Sequence, residues 1–105
     1  MNLGTLIDRL PSGLDDRLCI FAAKPWSETS PAEAVQLDDS FRPPQEIVER
    51  GYDYFLEVHV AKEALTVFGD RPPTKLEKRD LIIFYAENDA FPDWVYRRRG
   101  LAGGS

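Results

Sequence analysis

The stretch Tyr54-Phe55-Leu56-Glu57-Val58-His59-Val60 carries the clearest secondary-structure signal in the chain. Its even-numbered residues, from Tyr54 to Val60, are aromatic or aliphatic, whereas two of the three odd-numbered residues are polar. Because side chains alternate between the two faces of a β-strand, this pattern predicts a strand from Tyr54 to Val60 with one apolar face. Helix-forming residues follow at 61–68 and end at Gly69, which predicts a helix directly after the strand.

Two further strand candidates lie earlier in the chain. The run from Arg17 to Ala22 is rich in apolar and branched residues, and the segment from Glu33 to Leu37 alternates weakly. Segments that follow one another along the chain usually lie next to each other in a sheet, so we expect these two to pair antiparallel. Together with the strand that starts at Tyr54, they predict a sheet of about three strands.

Helix signals surround these strands. Asn2 precedes the first predicted helix as an N-cap, and Thr74 with Glu77 three residues later forms a capping-box pattern before the last. Gly51 and Gly69 follow the second and third predicted helices at the position where glycine commonly ends a helix. The predicted helices cover residues 3–10, 43–50, 61–68 and about 75–87.

The resulting order is helix, strand, strand, helix, strand, helix, helix. It predicts an α+β fold in which a small antiparallel sheet of about three strands packs against helices. We expect the last two helices to form a C-terminal hairpin across Pro72-Pro73, and the aromatic segment 91–96 to pack on the core in extended form. Residues 1–96 are predicted to form a single α+β domain, and residues 97–105 a basic, then Gly/Ser-rich flexible tail.

The charge distribution limits the classes of partner. The chain of 105 residues has a formal net charge of −5, and three of its 13 basic residues are Arg97, Arg98 and Arg99. Residues 1–96 therefore hold 10 basic and 18 acidic residues, a net charge of −8. An acidic body argues against direct binding of nucleic acid and favours a basic protein partner, although solubility alone also explains it. No apolar stretch approaches the length of a membrane span, so we expect no membrane contact.

Few catalytic or metal-binding arrangements are available. Cys19 and His59 are the single cysteine and the single histidine, so no cysteine- and histidine-rich metal site is expected, and no cofactor. A lone cysteine cannot form an internal disulfide, so we expect a protein of the reducing cytoplasm. A nucleophilic pair of Cys19 with His59 stays open, because both residues fall on predicted strands that can be neighbours. On balance we expect the protein not to be an enzyme.

Six residues are candidates for binding a partner. Glu87 and Asp89 follow an apolar helix, at the negative end of its dipole, where carboxylates are unfavourable. They are either part of a structural helix cap or part of an acidic recognition edge, which Asp38 and Asp39 extend. Aromatic side chains in loops are typical anchors of interfaces, although core burial is the ordinary outcome for a tryptophan. The complete set is Glu87, Asp89, Asp38, Asp39, Trp26 and Tyr52.

The stretch Tyr85-Ala86-Glu87-Asn88-Asp89-Ala90-Phe91 resembles a family of small, largely uncharacterised bacterial proteins whose C-terminal helix ends in an aromatic-x-Glu-Asn-Asp-Ala-Phe motif. The segments Asn2-Leu3-Gly4-Thr5-Leu6 and Trp26-Ser27 resemble the same pattern. Small acidic proteins of this type are often immunity proteins of bacterial toxin systems, which is an analogy of size and charge. The resemblance carries no catalytic residue with it.

Three hypotheses follow. The first is a non-enzymatic immunity or inhibitor protein that occludes a basic toxin, with the acidic edge facing Lys and Arg of the partner and Trp26 or Tyr52 as an anchor. The second is a structural or regulatory protein that forms homo-oligomers through exposed aromatic side chains. The third is a small hydrolase that uses carboxylates or the Cys19–His59 pair.

Overall fold

The structure, a computed structural model, describes residues 1–98. It confirms the predicted α+β class. These residues form three strands and five α-helices, and a 3₁₀ turn at Thr66–Phe68 extends the third helix. The elements are α1 (Leu3–Asp8), β1 (Leu18–Ala22), β2 (Ala32–Gln36), α2 (Gln45–Glu49), β3 (Asp53–Glu57), α3 (Val58–Leu65), α4 (Lys75–Asn88) and α5 (Asp93–Arg98).

The sheet has the strand order β2-β1-β3, and the central strand β1 pairs antiparallel with both neighbours. The expected pairing of the two early strands is therefore confirmed. Because β1 lies in the centre and both of its faces are covered, Cys19 to Ala22 are all buried. This explains why β1 is a continuous apolar run and not an alternating one.

The predicted strand from Tyr54 to Val60 is too long, and its predicted faces are wrong. It ends at Glu57, and α3 begins at Val58. The pairing with β1 shifts by one residue, since Ile20 lies opposite Leu56 while Phe21 lies opposite Tyr54. This β-bulge turns two consecutive side chains, Phe55 and Leu56, toward the same core and leaves Tyr54 49% exposed on the other face.

Two hydrophobic clusters lie on opposite faces of the sheet. The main core joins β1 and β3 to α1, α3, α4 and α5, with Ile20 and Ala22 as its contribution from β1. The second, which we call the α2 cluster, contains only Cys19, Phe21 and Ile47 as buried residues. Val35, Leu37 and Tyr52 pack against it from its edge.

Local signals start α1 and α4 where the sequence predicts, whereas α3 begins three residues before its predicted range of 61–68. Asn2 Oδ1 accepts the Thr5 N–H at 2.8 Å, and the capping box of Thr74 and Glu77 is formed at the start of α4. Helices α3 and α4 pack against each other across the Pro72-Pro73 connection. These contacts join the N-terminal helix and the helical pair to one core.

The prediction of an extended segment at 91–96 is wrong, because α5 begins at Asp93. A proline before the helix and an aspartate in its first turn both favour a helix start, which outweighs the aromatic composition. Val95 is 1% exposed in the main core, and the Trp94 ring stacks on Phe68 with centroids 6.2 Å apart. Helix α5 continues to Arg98, and the rest of the predicted tail lies outside the described residues.

Candidate protein-interaction surface

The six predicted partner-binding residues lie in two groups on opposite faces of the sheet. Trp26 packs against the main core, and Glu87 and Asp89 lie at the end of α4, which belongs to that core. Tyr52 packs against the α2 cluster, and Asp38 lines a cleft that also contains Cys19 of that cluster. The adjacent Asp39 is exposed in the same loop. The structure therefore divides the predicted acidic edge into two separate regions.

Trp26 is held mainly by contacts within the protein. Its Nε1 donates to the Ala22 carbonyl at 3.2 Å, and its ring meets the Phe55 ring edge-on with centroids 4.9 Å apart. The Lys24 ammonium lies 5.0 Å from the ring centroid, within the range of a cation–π contact. Trp26 and Glu87 both line a shallow cleft of about 560 Å³. These contacts give the tryptophan a structural task, which is to fix its loop to the sheet.

The carboxyl end of α4 is a helix cap formed by the motif residues. Asp89 adopts the left-handed conformation (φ 52°, ψ 38°), and its N–H donates to the Tyr85 carbonyl at 2.8 Å. The Asn88 side-chain amide donates to the Phe84 carbonyl at 3.0 Å, and the Phe91 ring lies 5.3 Å from the Tyr85 ring. Local structure thus explains the aromatic, Asn, Asp and Phe positions of the motif, which supports the capping interpretation.

Glu87 is the motif residue that the cap geometry does not use. Its side chain is exposed beside the Trp26 cleft. The other segments that share the resemblance also have structural explanations. Asn2 caps α1, and Gly4 packs so closely that an added Cβ would lie 2.9 Å from the Glu28 carbonyl oxygen.

The loop before α2 holds a phenylalanine in an unusual conformation. Asp38 Oδ1 accepts the N–H groups of Ser40 at 2.8 Å and Arg42 at 3.0 Å, and the Asp38 carbonyl accepts the Phe41 N–H at 2.9 Å. Phe41 has φ 61° and is 81% exposed. A bulky side chain with positive φ is a strained arrangement that tends to occur at functional sites. Asp38 therefore acts as the residue that organises this loop.

The surface around α2 combines exposed apolar side chains with negative charge. Phe41, Val48 and Tyr54 are three of the six large hydrophobic side chains that are exposed within residues 1–98. The segment 38–54 contains five acidic and two basic residues, a net charge of −3. One of the two basic residues, Arg50, pairs with Glu33 of β2 at 2.9 Å. We define the α2 surface as Asp38, Asp39, Phe41, Glu46, Val48, Glu49, Tyr52, Asp53 and Tyr54.

Sequence reasoning found only Asp38, Asp39 and Tyr52 of this surface. Val48 lies in a helix that buries only Ile47, and Tyr54 faces outward because of the β-bulge, so both exposures depend on tertiary structure. Phe41 did carry a signal. It is an aromatic residue inside the polar, proline-rich run Asp-Asp-Ser-Phe-Arg-Pro-Pro, which offers no neighbour for it to pack against.

Cys19 and His59 line one cleft, but the environment of the thiol is unsuited to nucleophilic attack. Burial, followed by the negative charge of Glu57, raises the pKa of Cys19 to about 12. The thiolate is the reactive form of cysteine, so a thiol that stays protonated at neutral pH is inert. His59 Nε2 lies 3.3 Å from Glu57 Oε2, in helix α3 and not on a strand as predicted. This geometry argues against the cysteine version of the hydrolase hypothesis.

Among residues 1–98, the carboxylate, thiol and imidazole groups form no group of three or more that could hold a metal ion. None of the helices in that part of the chain combines the length and the apolar character needed to cross a bilayer.

Comparison with protein-family models, with curated proteins and with solved structures gives no match. The resemblance of the Tyr85–Phe91 motif to a bacterial family therefore stays a prediction.

Proposed function

We propose that the protein is a non-enzymatic, cytoplasmic binding protein that inhibits a basic protein partner by occlusion, as a bacterial immunity protein neutralises its toxin. The observation that supports this proposal is the α2 surface. It exposes Phe41, Val48 and Tyr54 within a segment of net charge −3. Interfaces typically combine apolar anchors that exclude water with charges that match those of the partner.

The two properties of the α2 surface have separate tasks. The carboxylates raise the rate of encounter with a positively charged partner and disfavour acidic proteins. The aromatic and aliphatic side chains supply the buried area that keeps the complex together. Phe41 is suited to this because the Asp38 loop already holds it outward, so little conformational entropy is lost when it binds.

Self-association through the same surface is the alternative, and the charge disfavours it. A two-fold contact places the same patch of both subunits face to face. Two segments of net charge −3 would then meet, and like charges at close range oppose association. A basic partner removes this repulsion, which is why we favour a heterologous complex over a homo-oligomer.

The test is capture of the partner with matched charge variants. The full chain serves as bait in host lysate at low and moderate salt, followed by reconstitution with the purified partner and an assay of its activity. Asp39→Lys with Glu49→Lys reverses two exposed charges of the α2 surface, and Glu63→Lys with Glu87→Lys makes the same change on α3 and α4. Thermal unfolding of each variant reports whether the fold is kept.

We expect one basic partner, bound in a one-to-one complex that salt weakens and that loses its activity when bound. The α2 variant should weaken this complex at least tenfold, by about 1.4 kcal/mol or more, while the second variant stays near the parent protein. Equal behaviour of the two variants would remove the α2 surface from the proposal. A concentration-dependent dimer with no partner would replace the proposal with self-association.

A further inference from the structure

A cleft of about 380 Å³ opens beside Phe41, at the edge of the α2 cluster. Leu18, Leu37 and Phe41 provide apolar walls, and the buried Cys19 lies at its base. Its position next to the Asp38 loop makes it continuous with the α2 surface. A partner that covers Phe41 therefore also covers the mouth of this cleft.

Carboxylates line the same cleft, and two cations near it are paired with other carboxylates of the protein. The Arg17 guanidinium is held by both oxygens of Asp15, at 3.0 and 2.9 Å. Lys62 donates to the Leu14 carbonyl and to Asp16. Arg17, which lines the cleft, is thus paired with Asp15, and Lys62 is paired with the lining residue Asp16, so neither pair involves Glu57.

Two carboxylates are placed to receive a positive group. Within the described part of the chain, Asp38 binds the loop N–H groups through Oδ1, which leaves Oδ2 for a ligand. Glu57 lines the cleft, and His59 Nε2 lies 3.3 Å from its Oε2. The pKa values of Cys19 and Tyr54 are both raised, first by burial and second by the charge of Glu57. The negative field of Glu57 therefore reaches the base of the cleft.

We infer that this cleft receives a single arginine side chain of the partner, with its guanidinium at Glu57 and Asp38 and its stem along Leu37 and Phe41. The inference rests on the proposed function and names the group that the α2 surface recognises. A guanidinium is planar and weakly hydrated, stacks on aromatic rings and pairs with carboxylates through two parallel bonds. A lysine ammonium is a compact, strongly hydrated charge, which an apolar cleft accommodates less well.

The first test uses the intact protein and small probes, without the partner. Backbone amide shifts are followed by NMR at low salt during titration with N-acetyl-arginine amide, and separately with the lysine and norleucine analogues. We expect saturable shifts centred on Cys19, Leu37 and Glu57, with the arginine probe binding several-fold more tightly than the lysine probe. Shifts that do not saturate, that are equal for norleucine, or that centre on the Trp26 cleft would overturn the inference.

Matched variants make the assignment specific. Glu57→Gln should raise the dissociation constant of the arginine probe about tenfold, since it removes a charge-assisted hydrogen bond. Phe41→Ala should raise it a few-fold and, at 81% exposure, leaves the fold intact. On α4, Glu87→Gln repeats the change made at Glu57, and Leu76→Ala truncates another exposed apolar side chain; both should leave binding unchanged. A loss in the control variants as large as in Glu57→Gln would count against the cleft.

The two proposals fail in different ways. If the α2 charge variant loses the partner but the arginine probe does not bind, the cleft assignment is wrong and the binding function stands. If the probe binds in the cleft but the partner complex is insensitive to the α2 charges, the proposed function is wrong and the arginine site stands.

Discussion

The two faces of the sheet differ in how completely they are covered. Among residues 1–98, the main core contains 16 buried side chains and is closed by four helices. The α2 cluster contains three, beneath a helix of five residues. A face whose apolar side chains are buried within the protein exposes little apolar surface to a partner. A thinly covered face leaves aromatic side chains exposed, where a bound partner can bury them. The proposed function thus assigns stability to one face and recognition to the other.

The largest expected effect on stability comes from two side-chain truncations of equal size, one on each face of the sheet. Leu81 in the main core is 0% exposed and Ile47 in the α2 cluster is 1% exposed. We expect Leu81→Ala to cost about 4 kcal/mol in the free energy of unfolding and Ile47→Ala about 2 kcal/mol, because a thinly covered site collapses around its cavity more easily. Urea unfolding measures both values. An Ile47→Ala cost equal to that of Leu81→Ala would show that the α2 side is a full part of the core.

The second prediction compares an ion pair on each face. On the main-core side, Arg79 binds Asp8 through two bonds of 3.0 and 2.6 Å, and both side chains are less than one-quarter exposed. On the other side, Arg50 and Glu33 are about half exposed. We expect Asp8→Asn to lower the melting temperature at pH 7 by roughly 5 °C and Glu33→Gln to leave it nearly unchanged.

The same comparison has a pH dependence whose sign is fixed. The hydrogen bond from Arg79 is the main cause that holds the pKa of Asp8 below its usual value. A carboxylate with a lowered folded-state pKa stabilises the protein above its unfolded-state pKa, near 4, and loses that contribution as the pH falls through the folded-state pKa. Unfolding curves between pH 6 and pH 2, read at about one-unit steps, should therefore converge for the parent protein and Asp8→Asn at the acid end. A constant gap would contradict the assignment.

How well the sequence predicts each part of the structure depends on how far apart in the chain the interacting residues lie. Asn2, Thr74 and Glu77 act within one helical turn, so the caps of α1 and α4 are predictable. The end of β3 is not, because Val58 and Val60 alternate with His59 as well as any strand does. Only the pairing with β1 across some 35 residues of chain introduces the bulge at Phe55.

The candidate site shows the same limit. Composition indicates an acidic protein that favours a basic partner, and local pattern indicates Asp38, Asp39 and Tyr52 as binding residues. It also indicates Glu87 and Asp89, and nothing local shows that these lie on the opposite side of the sheet. Which face a helix covers, and how incompletely, depends on the packing of the whole chain.

The third prediction separates the two roles of Asp38 on the α2 surface. Asp38→Ala removes the acceptor of two N–H bonds and should cost about 1 kcal/mol of stability. Asp38→Asn keeps an acceptor at Oδ1 but removes the charge, so its stability should match the parent protein. Both variants should weaken binding of the basic partner and of the arginine probe. Binding by Asp38→Asn as tight as that of the parent protein would show that Asp38 organises the loop and does not contact the ligand.

The smallest expected effect concerns Phe41 and Asp89, the two non-glycine residues with positive φ among residues 1–98, one on each side of the sheet. Asp89 (φ 52°) ends α4, and Phe41 (φ 61°) is on the α2 surface. The left-handed conformation costs a bulky residue about 1–2 kcal/mol and an aspartate less, while glycine loses more entropy on folding. We therefore expect Phe41→Gly to stabilise the protein by about 0.5 kcal/mol and Asp89→Gly to change it little.

Stability and binding should then move in opposite directions at Phe41 only. Phe41→Gly removes the exposed ring, so a protein that unfolds at higher urea concentration should bind the basic partner more weakly. Asp89→Gly should leave binding unchanged, because the cap of α4 has no part in the α2 surface. A gain of stability together with a loss of binding would show that the strained conformation of Phe41 serves binding. Unchanged binding in Phe41→Gly would instead make the conformation of this loop a feature of the fold, and would move the anchor of the interface to Val48 or Tyr54.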